Sequence, residues 1–107
     1  MAELFDGDMK GEVWKEIPWT ESRYEVSNKG RVRYLRGTKL YLSKIGRNGT
    51  IYITKYGGHI TRKSVGRLVL EAFVGYPKIL NKNVQCRHIN GVSVDNRIEN
   101  LEWLDDE

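Results

Sequence analysis

The chain has 107 residues, 39% hydrophobic and 30% charged, enough for one domain or for two small modules on a shared core. One cysteine, Cys86, and two histidines exclude an internal disulfide and a four-ligand structural zinc site. No apolar run approaches the roughly 20 residues of a membrane-spanning helix. The net charge of +4 conceals a block pattern: residues 1–27 hold three basic and seven acidic groups, and residues 89–107 hold one and six. Residues 28–88 carry 14 Lys or Arg against the single acid Glu71. A cationic middle of that kind suits a polyanion, so the expectation is a DNA face there.

Residues 1–11 read as an acidic tail carrying Glu3, Asp6 and Asp8, without the basic and apolar regions of a signal peptide, which makes the cytoplasm the expected location. Residues 13–17 and 24–27 alternate apolar with polar side chains, as half-exposed strands do. Asn28-Lys29-Gly30 supplies a turn, and residues 31–36 alternate again, with Val32 and Tyr34 on one side and Arg31 and Arg33 on the other. Residues 40–44 predict another strand, Arg47-Asn48-Gly49 a hairpin turn, and residues 50–56 the most β-prone stretch. Gly57-Gly58, with His59 beside it, closes a further hairpin into residues 59–63.

The period then changes. Val65, Leu68, Val69, Ala72 and Phe73 fall at helical spacing, with Ser64 placed to cap and Gly75 to stop the helix. Beyond Pro77 a loop with Asn81, Lys82 and Asn83 leads to a short strand over 84–88, the turn pair Asn90-Gly91, one helical turn over 95–100 and a returning strand over 101–104. Asn96 and Asn100 read as turn-forming and capping residues. Trp14, Trp19 and Trp103 read as packing residues, and Cys86 as a small buried strand residue.

Trp14-Lys15-Glu16-Ile17-Pro18 together with residues 24–33 resembles the NUMOD DNA-binding module at the front of phage HNH homing endonucleases. Residues 67–73, then Arg87-His88-Ile89-Asn90-Gly91 and residues 95–103, are similar to the HNH part of those enzymes. The resemblance covers about residues 12–103. It implies an α+β fold, with a small antiparallel sheet and one packed amphipathic helix followed by an incomplete ββα-metal hairpin. The implied division is an acidic tail over 1–11, a NUMOD-like module over 12–63, and an HNH-like module over 64–107 that lacks its C-terminal helix. Double-stranded DNA in a bacterial host cytoplasm is the implied setting.

The resemblance also implies roles. His88 corresponds to the general base that deprotonates the attacking water. Asn100 corresponds to the residue that fixes the hairpin and thereby orients the base. The family uses Mg²⁺ or another divalent cation, held by an Asp beside the His and by a residue on a following helix. Arg87 stands where that Asp is common; a guanidinium repels a cation but can grip a phosphate. Only Leu104, Asp105, Asp106 and Glu107 follow Trp103, so the metal ligands are unassigned, with Asp105 and Asp106 either substitutes or a solvated tail. Gly66 stands where the family often carries a His. Arg31, Arg33, Arg36, Lys39, Lys44, Arg47, Lys55, Arg62, Lys63 and Arg87 are the expected DNA contacts, most of them to phosphates. Two alternatives share these features: a metal-free, catalytically silent protein that occupies DNA, and a phage-encoded inhibitor that grips a host protein.

Overall fold

The computed structural model describes residues 3–54, 56–76 and 84–104. Strands β1 (Glu3–Leu4), β2 (Trp14–Glu16), β3 (Tyr24–Ser27), β4 (Val32–Arg36) and β5 (Lys39–Leu42) form one antiparallel sheet in the order β1-β5-β4-β3-β2. β6 (Thr50–Thr54) and β7 (Ile60–Ser64) form a separate two-stranded ribbon, and β8 (Gln85–His88) pairs with β9 (Leu101–Leu104) in a third sheet. The one α-helix among the described residues, α1 (Val65–Phe73), follows β7 directly.

Local chemistry explains the elements. Val26 and Val32, paired across β3 and β4, are buried, as are Ile51 and Ile53 of β6, while Tyr52 between them is exposed. That is the period-two pattern of a strand with one buried face. Ser64 caps α1 by accepting from the Arg67 backbone N–H at 3.4 Å. Gly75, at φ +106°, ends the helix with its N–H on the Leu70 carbonyl at 2.9 Å, and its own carbonyl accepts from the Trp103 indole at 2.9 Å. Val65, Leu68, Val69 and Leu70 of α1 join Ile17, Tyr24, Val26, Val32, Ile51, Ile53 and Leu101 in one core drawn from all three sheets.

Two expectations need correcting. Arg47-Asn48-Gly49 does not close a hairpin between β5 and β6. The free edge of β5 is taken by β1, with Glu3 opposite Leu42, and the turn at 47–49 hands the chain to the second sheet. The acidic N-terminal stretch is not a loose tail within the described residues. Beyond β1, Phe5 packs edge-on against Trp14 with ring centroids 5.4 Å apart, and Glu12 is buried. Long-range pairing decides both points: a strand edge accepts whichever segment reaches it. Pro77, Asn81, Lys82 and Asn83 lie outside the described residues, as do Lys55, Asp105 and Asp106.

Glu12 closes this side of the sheet. Its carboxylate accepts from Arg31 Nε at 2.9 Å and also from Arg31 Nη2, and it accepts from the Met9 backbone N–H at 2.9 Å. Burial works against the charged form, but Arg31, the Met9 N–H and Ser27 outweigh it and hold the carboxyl down at about 2, from an ordinary 4.5. A folded-state value below the unfolded one stabilises the fold at neutral pH, and that contribution disappears as the pH falls from about 4.5 through about 2. Its size at pH 7 is about 3 kcal/mol. Urea unfolding should therefore lose about that much stability between pH 6 and pH 2 beyond the loss shown by Glu12→Gln, whose acid limb should be correspondingly flatter.

Candidate functional site

The β8–β9 hairpin has Cys86 opposite Trp103, Arg87 opposite Glu102 and His88 opposite Leu101. Alternation along β8 sends neighbouring residues to opposite faces. Cys86 and His88 turn toward α1, where a Cβ added to Gly66 would lie 2.8 Å from Cys86 Sγ and 3.3 Å from His88 Nε2. Burial, partly countered by the Arg67 charge, pushes the Cys86 thiol up to about 11, so it stays a neutral packing group. Arg87 points outward, half exposed, and pairs with Glu102 at 2.6 Å.

The loop between β8 and β9 is closed by Asn100, which is buried. Asn100 Oδ1 accepts from the Asn90 backbone N–H at 3.0 Å, and its Nδ2 donates to Asn90 Oδ1 and to the Asp95 carbonyl, both at 2.9 Å. Asn90 Oδ1 also accepts from the Val92 N–H at 2.9 Å, and Asn90 Nδ2 donates to Asp95 at 2.8 Å. The Asp95 carboxyl is pulled well below the usual carboxylate range by its hydrogen bonds from Arg97, against a desolvation cost and with help from Asn90. Asn100 thus touches the loop and not the imidazole. The residue that touches the imidazole is Asn96, 3% exposed, whose Oδ1 lies 2.7 Å from His88 Nε2.

The cationic residues separate into two groups. Arg31 and Arg33 are engaged within the fold: Arg31 by Glu12 and the Gly7 carbonyl, Arg33 by Glu25 of β3 at 2.8 Å and by Asp8 of the N-terminal stretch at 3.8 Å. Both guanidinium groups also lie over aromatic rings, Arg33 within 4.1 Å of the Trp14 centroid and 4.8 Å of Phe5. Their side chains are only 22% and 15% exposed, so neither presents free charge. Lys63 is half-buried with its Nζ 5.4 Å from the Trp19 ring. Arg36, Lys39, Lys44, Arg47 and Arg62 are exposed. Lys44 and Arg62 line one shallow cleft with Asn48, Thr50 and Tyr52, and Tyr52 stands directly across from Arg62 on the ribbon.

Residues 12–66, just over half of the chain, match the NUMOD4 motif. The chain belongs to the NUMOD4 family. It is 41% identical over 98 residues to an uncharacterized HNH endonuclease, L247, of Acanthamoeba polyphaga mimivirus, a match covering 89% of this chain and 24% of the viral protein. A solved structure of the HNH homing endonuclease I-HmuI, described for its DNA binding and cleavage, superposes with a TM-score of 0.66 at 29% identity, covering 86% of this chain and 52% of that one. The chain therefore spans about a quarter of the viral relative and about half of the solved one. The mixed fold, with its multi-stranded antiparallel sheet and single helix, matches that HNH endonuclease.

In this NUMOD4 chain the described residues around His88 offer no donor set for a divalent cation. Among the described residues no three His, Cys, Asp or Glu side chains converge. Arg87 puts a positive charge on the strand beside the imidazole, and the Asp95 oxygens are taken up by Arg97 and Asn90. Sequence reasoning missed the Asn96 contact. The available signal was Gly66, a glycine inside a helical pattern, which marks a close approach. Asn100→Ala removes the bonds that hold the loop shut, and a loss of about 2–3 kcal/mol in urea unfolding is expected. Crosspeaks of residues 89–97 in an amide correlation spectrum should shift, while those of β6 and β7 stay in place.

Proposed function

We propose that the chain is a DNA-binding protein of the HNH endonuclease type, with His88 as the general base of its phosphodiester-cleaving centre. The observation that carries this is the imidazole of His88, held at the end of a hairpin whose loop Asn100 ties shut, in a fold that matches an HNH homing endonuclease. An imidazole nitrogen that carries no proton can take one from water as the water oxygen attacks phosphorus. The P–O bond to the leaving strand then breaks and that oxygen is protonated from solvent. The described residues carry no ligand set for a cation beside His88.

Duplex DNA is the substrate that the exposed cations favour. Arg36, Lys39, Lys44, Arg47 and Arg62 are exposed cations among the described residues, and Lys44 and Arg62 share a shallow cleft with the exposed ring of Tyr52. Five phosphate contacts give a slope of log affinity against log salt of about −4.5. Replacing Lys44 and Arg62 by Ala should flatten that slope by about 2, whereas Lys63→Ala, whose ammonium sits on Trp19, should leave it nearly unchanged. Equal slopes for all three proteins would remove the ribbon from the interface.

Arg87 favours a second reading, binding without cleavage, because its guanidinium and the Glu102 carboxylate neutralise each other on the strand that carries His88. Plasmid nicking decides between the two. With Mg²⁺ or Mn²⁺ present, the cleaving protein should lose about 10²–10⁴-fold in rate as His88→Ala. Identical traces for wild type and variant would leave only the binding role.

A further inference from the structure

We propose that Asn96 is a positioning residue that fixes which nitrogen of His88 carries the proton, and that it does so only when the NUMOD4 part and the hairpin are assembled around it. Asn96 Oδ1 lies 2.7 Å from His88 Nε2. A carbonyl oxygen can only accept, so the Nε2 atom is the donor and Nδ1 keeps the lone pair able to take a proton. The Asn96 side chain is 3% exposed, and its Nδ2 has no partner among the described residues, so the contact to the imidazole is the bond that holds this amide in place.

Two glycines from different parts of the chain make room for this one side chain, and a third makes room for the loop that carries it. At Gly30, in the turn before β4, an added Cβ would lie 2.8 Å from Asn96 Cβ. At Gly66 in α1 it would lie 3.0 Å from Asn96 Oδ1, and at Gly49, before β6, 3.6 Å from Asn96 Nδ2 and 2.4 Å from the Ser93 carbonyl. A backbone bond from the Ile98 N–H to the Asn28 carbonyl at 2.9 Å clamps the same loop to the β3–β4 turn. The large sheet, the ribbon, the helix and the hairpin therefore meet at the amide that grips the imidazole. Nothing in the hairpin by itself would impose that geometry, since Asn100 bonds the loop and leaves the ring alone. Only the effect on cleavage rests on the nuclease reading of His88; the position of the ring proton does not.

The test is a long-range ¹H–¹⁵N correlation spectrum of the full chain with ¹⁵N-labelled histidine, recorded on the neutral imidazole, with His59→Gln assigning the second ring. Wild-type His88 should show one tautomer, with Nε2 protonated and Nδ1 bare. Asn96→Asp, still an acceptor, should keep the proton on Nε2, and Asn96→Leu, of similar size without an acceptor, should give the mixture of tautomers of free imidazole. A wild-type ring with a bare Nε2 would overturn the proposal without recourse to any variant, as would a Leu variant with the wild-type tautomer. In the nicking assay Asn96→Leu should lower kcat about 10²-fold with KM for DNA unchanged. If the wild type nicks nothing, the nuclease reading fails while the tautomer spectrum still decides the role of Asn96.

Discussion

Among the described residues no hydrogen-bonded ladder joins the large sheet, the ribbon and the hairpin. What unites them is the apolar side of α1. Val65, Leu68, Val69 and Leu70 are buried to within a few percent and pack into a single core with side chains from all three sheets. Full burial of a Val or Leu side chain stabilises by about 1.5–3 kcal/mol, so a nine-residue helix with four such positions is the principal tie of the molecule. Everything near His88 inherits its position from this packing, because Gly66 of the same helix sits against Cys86, His88 and Asn96.

Charge is used twice, in opposite senses. The N-terminal acids are drawn into the fold, where Glu12, Asp8 and Glu25 neutralise Arg31 and Arg33 on the first sheet. A buried carboxylate with a paired guanidinium is costly to break, which ties the first dozen residues to the sheet. Among the described residues of the positive block, exposed cations lie at the β4–β5 turn, in the segment before β6 and on the ribbon, where Lys44, Tyr52 and Arg62 line one cleft. The positive block of the sequence is thus divided into charge that holds the protein together and charge free to meet a partner.

The hairpin shows a similar division between neighbours. Arg87 and His88 are adjacent in sequence and face opposite ways, one into an outward ion pair and the other into a buried amide. Asn100 and Asn96, four residues apart, split the work of shaping the loop and of holding the ring. The match to an HNH homing endonuclease structure extends over 86% of this chain at 29% identity.

The sequence by itself determined most elements and the family: alternation predicts strands over 24–27 and 31–36, β propensity one over 50–56, helical spacing with Ser64 and Gly75 predicts α1, and the motif residues around His88 and Asn100 carry the HNH resemblance. Those signals are local, since periodicity, caps and turns depend on residues within a few positions of one another. The tertiary structure decided which strands pair, that the acidic N-terminal stretch closes the sheet and engages Arg31, and that Asn96 rather than Asn100 meets the imidazole. Glu12 and Arg31 are 19 positions apart, and Gly30, Gly49 and Gly66 reach Asn96 from distant parts of the chain. Such contacts follow from how an apolar core packs three sheets on one helix, and spacing along the chain carries no record of it.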